Sequence, residues 1–327
     1  MKDPDPYARD VLEDWAKGFE DRDGKFVQEF QTTFNSSFWE LYLFAVLKQF
    51  QYGVDFSFNR PDFVVPDAPQ NFCIEASSSH HAQKASPEWE RLNAMDQLKE
   101  LDRYDIVDSA TVRLAGTLRS KHQKFLDSYS ELDHVKDRPF ILAIAPFDQP
   151  FFYFQNDTAM QRVLYAYEKP IYRDFPEENR REIYGHEHID WILNPNGAQV
   201  PLGAFSKGLM PEISAVLFSN VATFGKVRAL SSDPGQILFE FLRFNEHGLR
   251  PTHGALPKAQ YVESLLDGLH IFHNPTARYP LDSDLFDHPD ITHHWYSLSA
   301  GMPLTRAKDG ALFQRMVIKM QAAKGDG

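Results

Sequence analysis

Arg60-Pro61-Asp62-Phe63-Val64-Val65 and, beyond Pro66 to Asn71, Phe72-Cys73-Ile74-Glu75-Ala76-Ser77 decide how this chain is read. Each is a short apolar run rich in β-branched or aromatic residues, bounded by prolines, with one carboxylate at its mouth or within it. Runs of that kind predict strands over Asp62 to Val65 and Phe72 to Ser77, and Val54 to Phe58 is a third candidate of the same kind. Pro61, Pro66 and Pro69 mark the boundaries, because proline cannot donate to a ladder.

Working upstream, Lys25 to Phe50 has a helical pattern with a break expected near Asn35-Ser36-Ser37, where Ser36 or Ser37 caps the second part. Phe38 to Phe50 is almost wholly apolar, so this helix belongs inside. Glu40 shares its face with Leu43, Phe44 and Leu47, where a carboxylate is costly unless paired, protonated or metal-bound. Working downstream, residues 88 to 104 and 107 to 127 read as helices. Phe140-Ile141-Leu142-Ala143-Ile144-Ala145 reads as a strand buried on both faces. Further on, Thr158 to Tyr167, Gln236 to Phe244, Ala259 to Leu266 and Lys308 to Ala323 read as helices. Ile213 to Phe218, Lys226 to Leu230 and Leu269 to Phe272 read as strands.

Three carboxylates, Glu40, Asp62 and Glu75, thus fall on one helix and two neighbouring strands, and hard oxygen ligands of this kind suit Mg²⁺. A metal so held activates water and stabilises the charge that develops in phosphodiester cleavage. The order of elements, with Pro61-Asp62 before one strand and Glu75-Ala76-Ser77 on the next, resembles the PD-(D/E)XK, or restriction-endonuclease-like, nucleases over about residues 25 to 147. The resemblance implies an α/β fold with a central mixed sheet flanked by helices. It also implies Asp62 and Glu75 as direct ligands of Mg²⁺ or Mn²⁺, Glu40 as a ligand through water, and nucleic acid as partner, DNA ahead of RNA, with a homodimer an option. The chain departs from the motif at Ser77, which stands where the family has lysine. Serine binds water but carries no positive charge. Some family members supply the lysine from a neighbouring element, and helical spacing puts Arg113, Thr117, Lys121 and Lys124 on one face of the 107 to 127 helix. Lys121 is the expected replacement, and Arg113, Thr117, Lys124 and Ser77 the expected substrate contacts. A different class of function, a catalytically inactive nuclease fold that binds nucleic acid or protein, follows if no cation takes that place.

Bulk composition limits the alternatives. The 327 residues carry a net charge of −12, so nucleic acid must be held by a local basic surface and not by overall charge. Cys73 is the lone cysteine, so no intramolecular disulfide forms and a reducing, cytoplasmic setting is expected. The charged stretch Met1 to Asp14 does not read as a signal peptide. The apolar run Leu41 to Leu47 is too short for a membrane span. The expected organisation is a lead-in over 1–24, a nuclease-like core over 25–150 and an α/β extension over 151–327, packed on the core or continuous with it. P-loop, dinucleotide-binding G-x-G-x-x-G and G-x-S-x-G motifs are absent from the sequence. His186-Glu187-His188, His80-His81 and His273-Asn274 with Arg278 read as surface, core or turn residues ahead of any metal or phosphate role.

Overall fold

A computed structural model describes residues 6–22, 24–79, 103–147, 151–175, 177, 180–246 and 250–319. The apolar run after Phe34 becomes α3 (Phe34–Gln49), preceded by α1 (Pro6–Ala16) and α2 (Phe26–Thr32). The helix break falls at Thr33, and Ser36 and Ser37 lie inside α3, so neither caps it. The 1–24 lead-in contributes helix α1 to the core: Trp15 is buried with Phe38 and Tyr42.

Seven strands form one mixed sheet. In spatial order they are β1 (Phe63–Val65), β2 (Phe72–Ser78), β3 (Phe140–Ala145), β8 (Ala215–Phe218), β11 (Leu269–His273), β12 (Ile291–Ser297) and β13 (Met302–Arg306). β1 and β2 are an antiparallel hairpin; β3 then pairs parallel to β2 after α4 (Arg103–Lys124), and β8 pairs parallel to β3. Side-chain alternation sorts the two faces. Ile74, Ala76, Ile141, Ala143, Ala215 and Leu217 pack with α1 and α3. Cys73, Phe140, Leu142, Ile144, Val216 and Phe218 pack with α4 and α5 (Thr158–Tyr165). A hydrogen bond of 3.0 Å from Trp39 Nε1 to the Ala143 carbonyl ties α3 to the middle of the sheet.

A three-stranded antiparallel sheet of β10 (Thr252–Pro257), β9 (Ile237–Arg243) and β14 (Leu312–Lys319) has its own small core around Phe239 and Tyr261. β4 (Tyr167–Phe175) pairs with β5 (Arg180–His188), and β6 (Trp191–Leu193) with β7 (Gln199–Pro201).

Several expected elements differ. Val54 to Phe58 is not a strand. Asp55 N–H reaches the Val64 carbonyl, but its carboxylate then accepts from Ser57 N–H and turns the chain away. Lys226 to Leu230 lies within helix α6 (Phe224–Leu230), because Thr223 accepts from Gly225 N–H and caps it. Gln236 to Phe244 is strand β9, with Ile237, Phe239 and Phe241 buried at a period of two. Of Lys308 to Ala323, residues 320–323 lie outside the described residues and the rest contributes β14, whose irregularity between Leu312 and Gln314 breaks the strand period. Ala259 to Leu266 is irregular. The expected helix over 88–104 and His80-His81 lie outside the described residues, apart from the start of α4.

Candidate active site

The short β1 strand creates the site. Its register pairs Phe63 with Ile74, so one step further Asp62 faces the stretch around Glu75. There the ladder stops: Asp62 Oδ2 accepts the Ala76 N–H at 2.7 Å, a side chain in place of a strand partner. β2 continues to Ser78 against β3 alone, leaving an open edge. Groups from both faces reach round that edge. Glu40 comes from α3, whose Ser36 Oγ lies 3.0 Å from Ser78 Oγ at the end of β2. Glu75 lies on the same face of β2 as Cys73, toward α4, which brings Lys121 and Lys124. Glu40, Asp62, Glu75, Ser77, Lys121 and Lys124 all line one cavity of about 230 Å³.

Glu75 is its centre. It is 3% exposed. Its Oε1 accepts from Lys121 Nζ at 2.8 Å and Lys124 Nζ at 2.9 Å, and its Oε2 from the Tyr129 hydroxyl at 3.1 Å. Lys121 also donates to the Ala76 carbonyl at 3.3 Å. Burial alone would raise the Glu75 pKa, but the Lys121 and Lys124 ammonium groups outweigh it and hold it below the usual value. For Lys124, burial works against the charge, yet Tyr129 and Glu75 hold its pKa above the ordinary range. Burial pushes the Tyr129 phenol up to about 12, so it stays a donor.

The other two carboxylates lack such partners. Burial, reinforced by the charge of Asp62, raises Glu40 to about 8. Burial and the charge of Glu75 raise Asp62 to about 6, against the opposing pull of the Ala76 N–H, Lys121 and Arg22. Arg22 NH2 lies 4.0 Å from Asp62 Oδ1, and its NH1 donates to the Phe58 carbonyl at 2.7 Å. The three carboxylates offer the oxygen donors that a hard divalent cation takes, although among the described residues they do not form a cluster tight enough to hold one ion between all three. Burial and repulsion among the carboxylates disfavour the ionised forms of Glu40 and Asp62, a bias that positive charge between them would relieve.

Arg113 and Thr117 lie further along α4 and line an adjoining cavity of about 680 Å³ together with Asp108, Ser109 and Asn194. Ser77, Ser78 and Lys121 belong to both cavities, so the two form a continuous path along α4. Lys124 faces Glu75 and is absent from this second lining, so the expected basic face is divided between the two.

Three contributors escaped the sequence reading. Tyr129 sits in a π-helical turn (Phe125–Tyr129) that follows α4, a geometry no 3.6-residue pattern reveals. Arg22 reads as loop punctuation, and Ser36 as a cap. Arg60, next to Pro61-Asp62 in the sequence, is exposed, and it is Arg22 that approaches Asp62. Of the remaining sequence candidates, Asn274 is a turn residue. It donates to the Met210 and Ile213 carbonyls and accepts from Thr276 N–H. Arg278 pairs with Glu212, and His188 lies on β5 against the Ala166 carbonyl.

No family model, curated protein or solved structure matches this chain. Among the described residues, no helix is long and apolar enough to cross a membrane.

Proposed function

We propose that the chain is a Mg²⁺- or Mn²⁺-dependent nuclease of the PD-(D/E)XK kind, acting on nucleic acid, DNA ahead of RNA. The observation that carries this reading is the Lys121 ammonium 2.8 Å from Glu75, on the next described element after the Glu75 strand. It supplies the cation that Ser77 does not. The succession α3, antiparallel hairpin, α4 and parallel β3 supports the same reading, as does the presence of Glu40, Asp62 and Glu75 in one cavity.

Asp62 and Glu75 would hold the metal directly and Glu40 through water. When bound, the metal supplies Lewis-acid stabilisation of charge on the scissile phosphate and lowers the pKa of water. The chain's own groups do the rest. Lys121 holds a positive charge beside the carboxylates, where a developing negative charge is stabilised more strongly than in bulk water. Lys124 is the more exposed of the two lysines, 48% against 22%, and is the one able to give up its contact with Glu75 to a cation. Ser77 and Thr117 present hydroxyls along the path, and Arg113 offers a guanidinium to a neighbouring phosphate. Asp62 keeps the edge open by holding Ala76 N–H, so no further strand closes over the site.

Incubation of the protein with end-labelled single-stranded DNA, duplex DNA and RNA, with Mg²⁺ or with EDTA, tests the function. The expected result is cleavage of at least one substrate in Mg²⁺ and none in EDTA. Binding of nucleic acid without cleavage under any metal condition would replace this reading with that of a catalytically inactive binding module.

A further inference from the structure

On the face of the sheet that packs against α4 and α5, two histidines from adjacent parallel strands meet. His270 of β11 and His294 of β12 lie diagonally across the pair, with His270 Nδ1 3.0 Å from His294 Nε2. Both are 1% exposed. Asp157 precedes α5 at the N-cap position, where an aspartate commonly accepts from its own helix, yet its side chain makes no capping bond. Its Oδ2 lies instead 3.8 Å from His294 Nε2. One ligand atom from each of the three residues lies within 4.8 Å of the others.

From this geometry we infer a second metal site, separate from the carboxylate cavity, in which His270, His294 and Asp157 hold a divalent transition-metal ion of the zinc class. Imidazole nitrogens favour zinc and its neighbours over Mg²⁺. In a tetrahedral site with Zn–N near 2.05 Å, neighbouring ligand atoms stand ~3.3 Å apart. The observed 3.0 and 3.8 Å bracket that value.

The hydrogen bonding around His294 gives an independent reason. Gln161 is 7% exposed, and its Oε1 is buried with no hydrogen-bond partner. Its Nε2 points at His294 Nδ1, 3.1 Å away, while Thr305 Oγ1 lies 3.0 Å from the same nitrogen. Turning the carboxamide over lets the orphaned Oε1 accept from a protonated Nδ1. Nε2 is then left with a lone pair for metal, and the outer nitrogen of the ligating histidine has the acceptor it ordinarily needs. The rearrangement replaces the 3.4 Å donor contact of Gln161 Nε2 with Asp157 Oδ2 by an oxygen–oxygen approach, which a cation between the ligands would offset, and moves Nε2 to where Oε1 lay without a partner.

The histidine pair on the other face of the same strands differs. His273 Nε2 lies 3.0 Å from His293 Nδ1, and His293 Nε2 donates to the Phe286 carbonyl, so that pair is closed by its own hydrogen bonds. Three protein ligands also leave a fourth coordination position open to water, as in zinc sites that are not closed by protein. Asp157 lines a cavity of about 1050 Å³ that Tyr172, Arg250 and His253 also line, which gives that position a way out.

The test is Co²⁺ titration of metal-stripped full-length protein, followed by displacement with Zn²⁺. Four-coordinate Co²⁺ absorbs strongly in the visible, whereas a six-coordinate all-oxygen site absorbs weakly, so the two sites are told apart. Wild type and Glu75→Ala should both give the strong band, saturating at one equivalent and abolished by Zn²⁺. His294→Gln should lose it. Asp157→Asn, which leaves the buried imidazoles packed, should weaken binding by at least the roughly 10–100-fold that outer-shell changes cost. Should His294→Gln fail to fold, Asp157→Asn decides alone. A wild type without the strong band, or an Asp157→Asn protein that binds like wild type, overturns the site. Because Glu75→Ala should keep the band, failure of the nuclease reading leaves this result unaffected.

Discussion

Replacing Lys121 by alanine removes the ammonium that donates to Glu75 Oε1 and to the Ala76 carbonyl. The magnitude follows from its surroundings. Lys121 is 22% exposed and its partner carboxylate 4%, so the charge acts in a medium well below the dielectric of water. Two unit charges about 4 Å apart interact by about 4 kcal/mol at an effective dielectric near 20. Loss of one preorganised donor from such a site costs about 10²–10³ in kcat. Single-turnover cleavage at saturating Mg²⁺ should therefore slow by about two to three orders of magnitude. Stability should fall by no more than about 1–3 kcal/mol, because Lys124 and Tyr129 still satisfy Glu75. Thermal unfolding of the variant separates that loss from the catalytic one. Lys121→Arg should recover little: the guanidinium keeps the charge but is planar, longer and always protonated. A Lys121→Ala rate within about threefold of wild type would refute the argument that this lysine stands in for the one missing at Ser77.

Asp62→Asn retains an acceptor for Ala76 N–H but removes a charge, so the Mg²⁺ concentration for half-maximal cleavage should rise by roughly tenfold or more, read from a metal titration. Arg113→Ala should raise KM for nucleic acid and lower the slope of log K against log salt by about 1, with kcat little changed, as filter binding across a salt series would report. Glu263→Ala should destabilise the protein by about 3–5 kcal/mol in urea melts, because it leaves Lys226 and Arg315 buried without their shared partner. The same carboxylate sets an acid limit. Burial raises its pKa, but Arg315 and Lys226 outweigh this and hold it at about 2 against an ordinary 4.5. A depressed folded pKa gives stability that is complete above the unfolded value and lost as pH falls from about 4.5 toward 2. Unfolding free energies across that window should decline in wild type and be flatter there in Glu263→Gln.

The acids and the cation of the site could be found in the sequence because each breaks a local rule. Glu40 interrupts a buried helical run, Glu75 interrupts a buried strand, and Lys121 follows from helical spacing over residues 107 to 127. β2, β3 and α4 could be read for the same reason, since long single-period runs leave few options. What stayed hidden depends on contacts between distant segments. Tyr129 reaches Glu75 only because the chain takes a π turn after Lys124. Arg22 approaches Asp62 from the start of the chain. The β9 and β14 segments read as helices because their apolar residues mix two periods, and pairing between residues 237–243 and 312–319 makes them strands. His270 and His294 come together only through the parallel register of β11 and β12, which no spacing along the chain encodes.

The measurement that bears most directly on the central claim is single-turnover cleavage of labelled DNA and RNA by wild type and Glu75→Ala, side by side, in Mg²⁺ and in EDTA. Glu75 joins the lysines, Tyr129 and the carboxylate cavity, so its loss removes a proposed metal ligand together with the anchor of Lys121. Wild type should cleave in Mg²⁺ and not in EDTA, and a Glu75→Ala protein that still unfolds cooperatively should show no cleavage above background. Cleavage by Glu75→Ala at the wild-type rate, or the absence of metal-dependent cleavage in wild type, would contradict that claim.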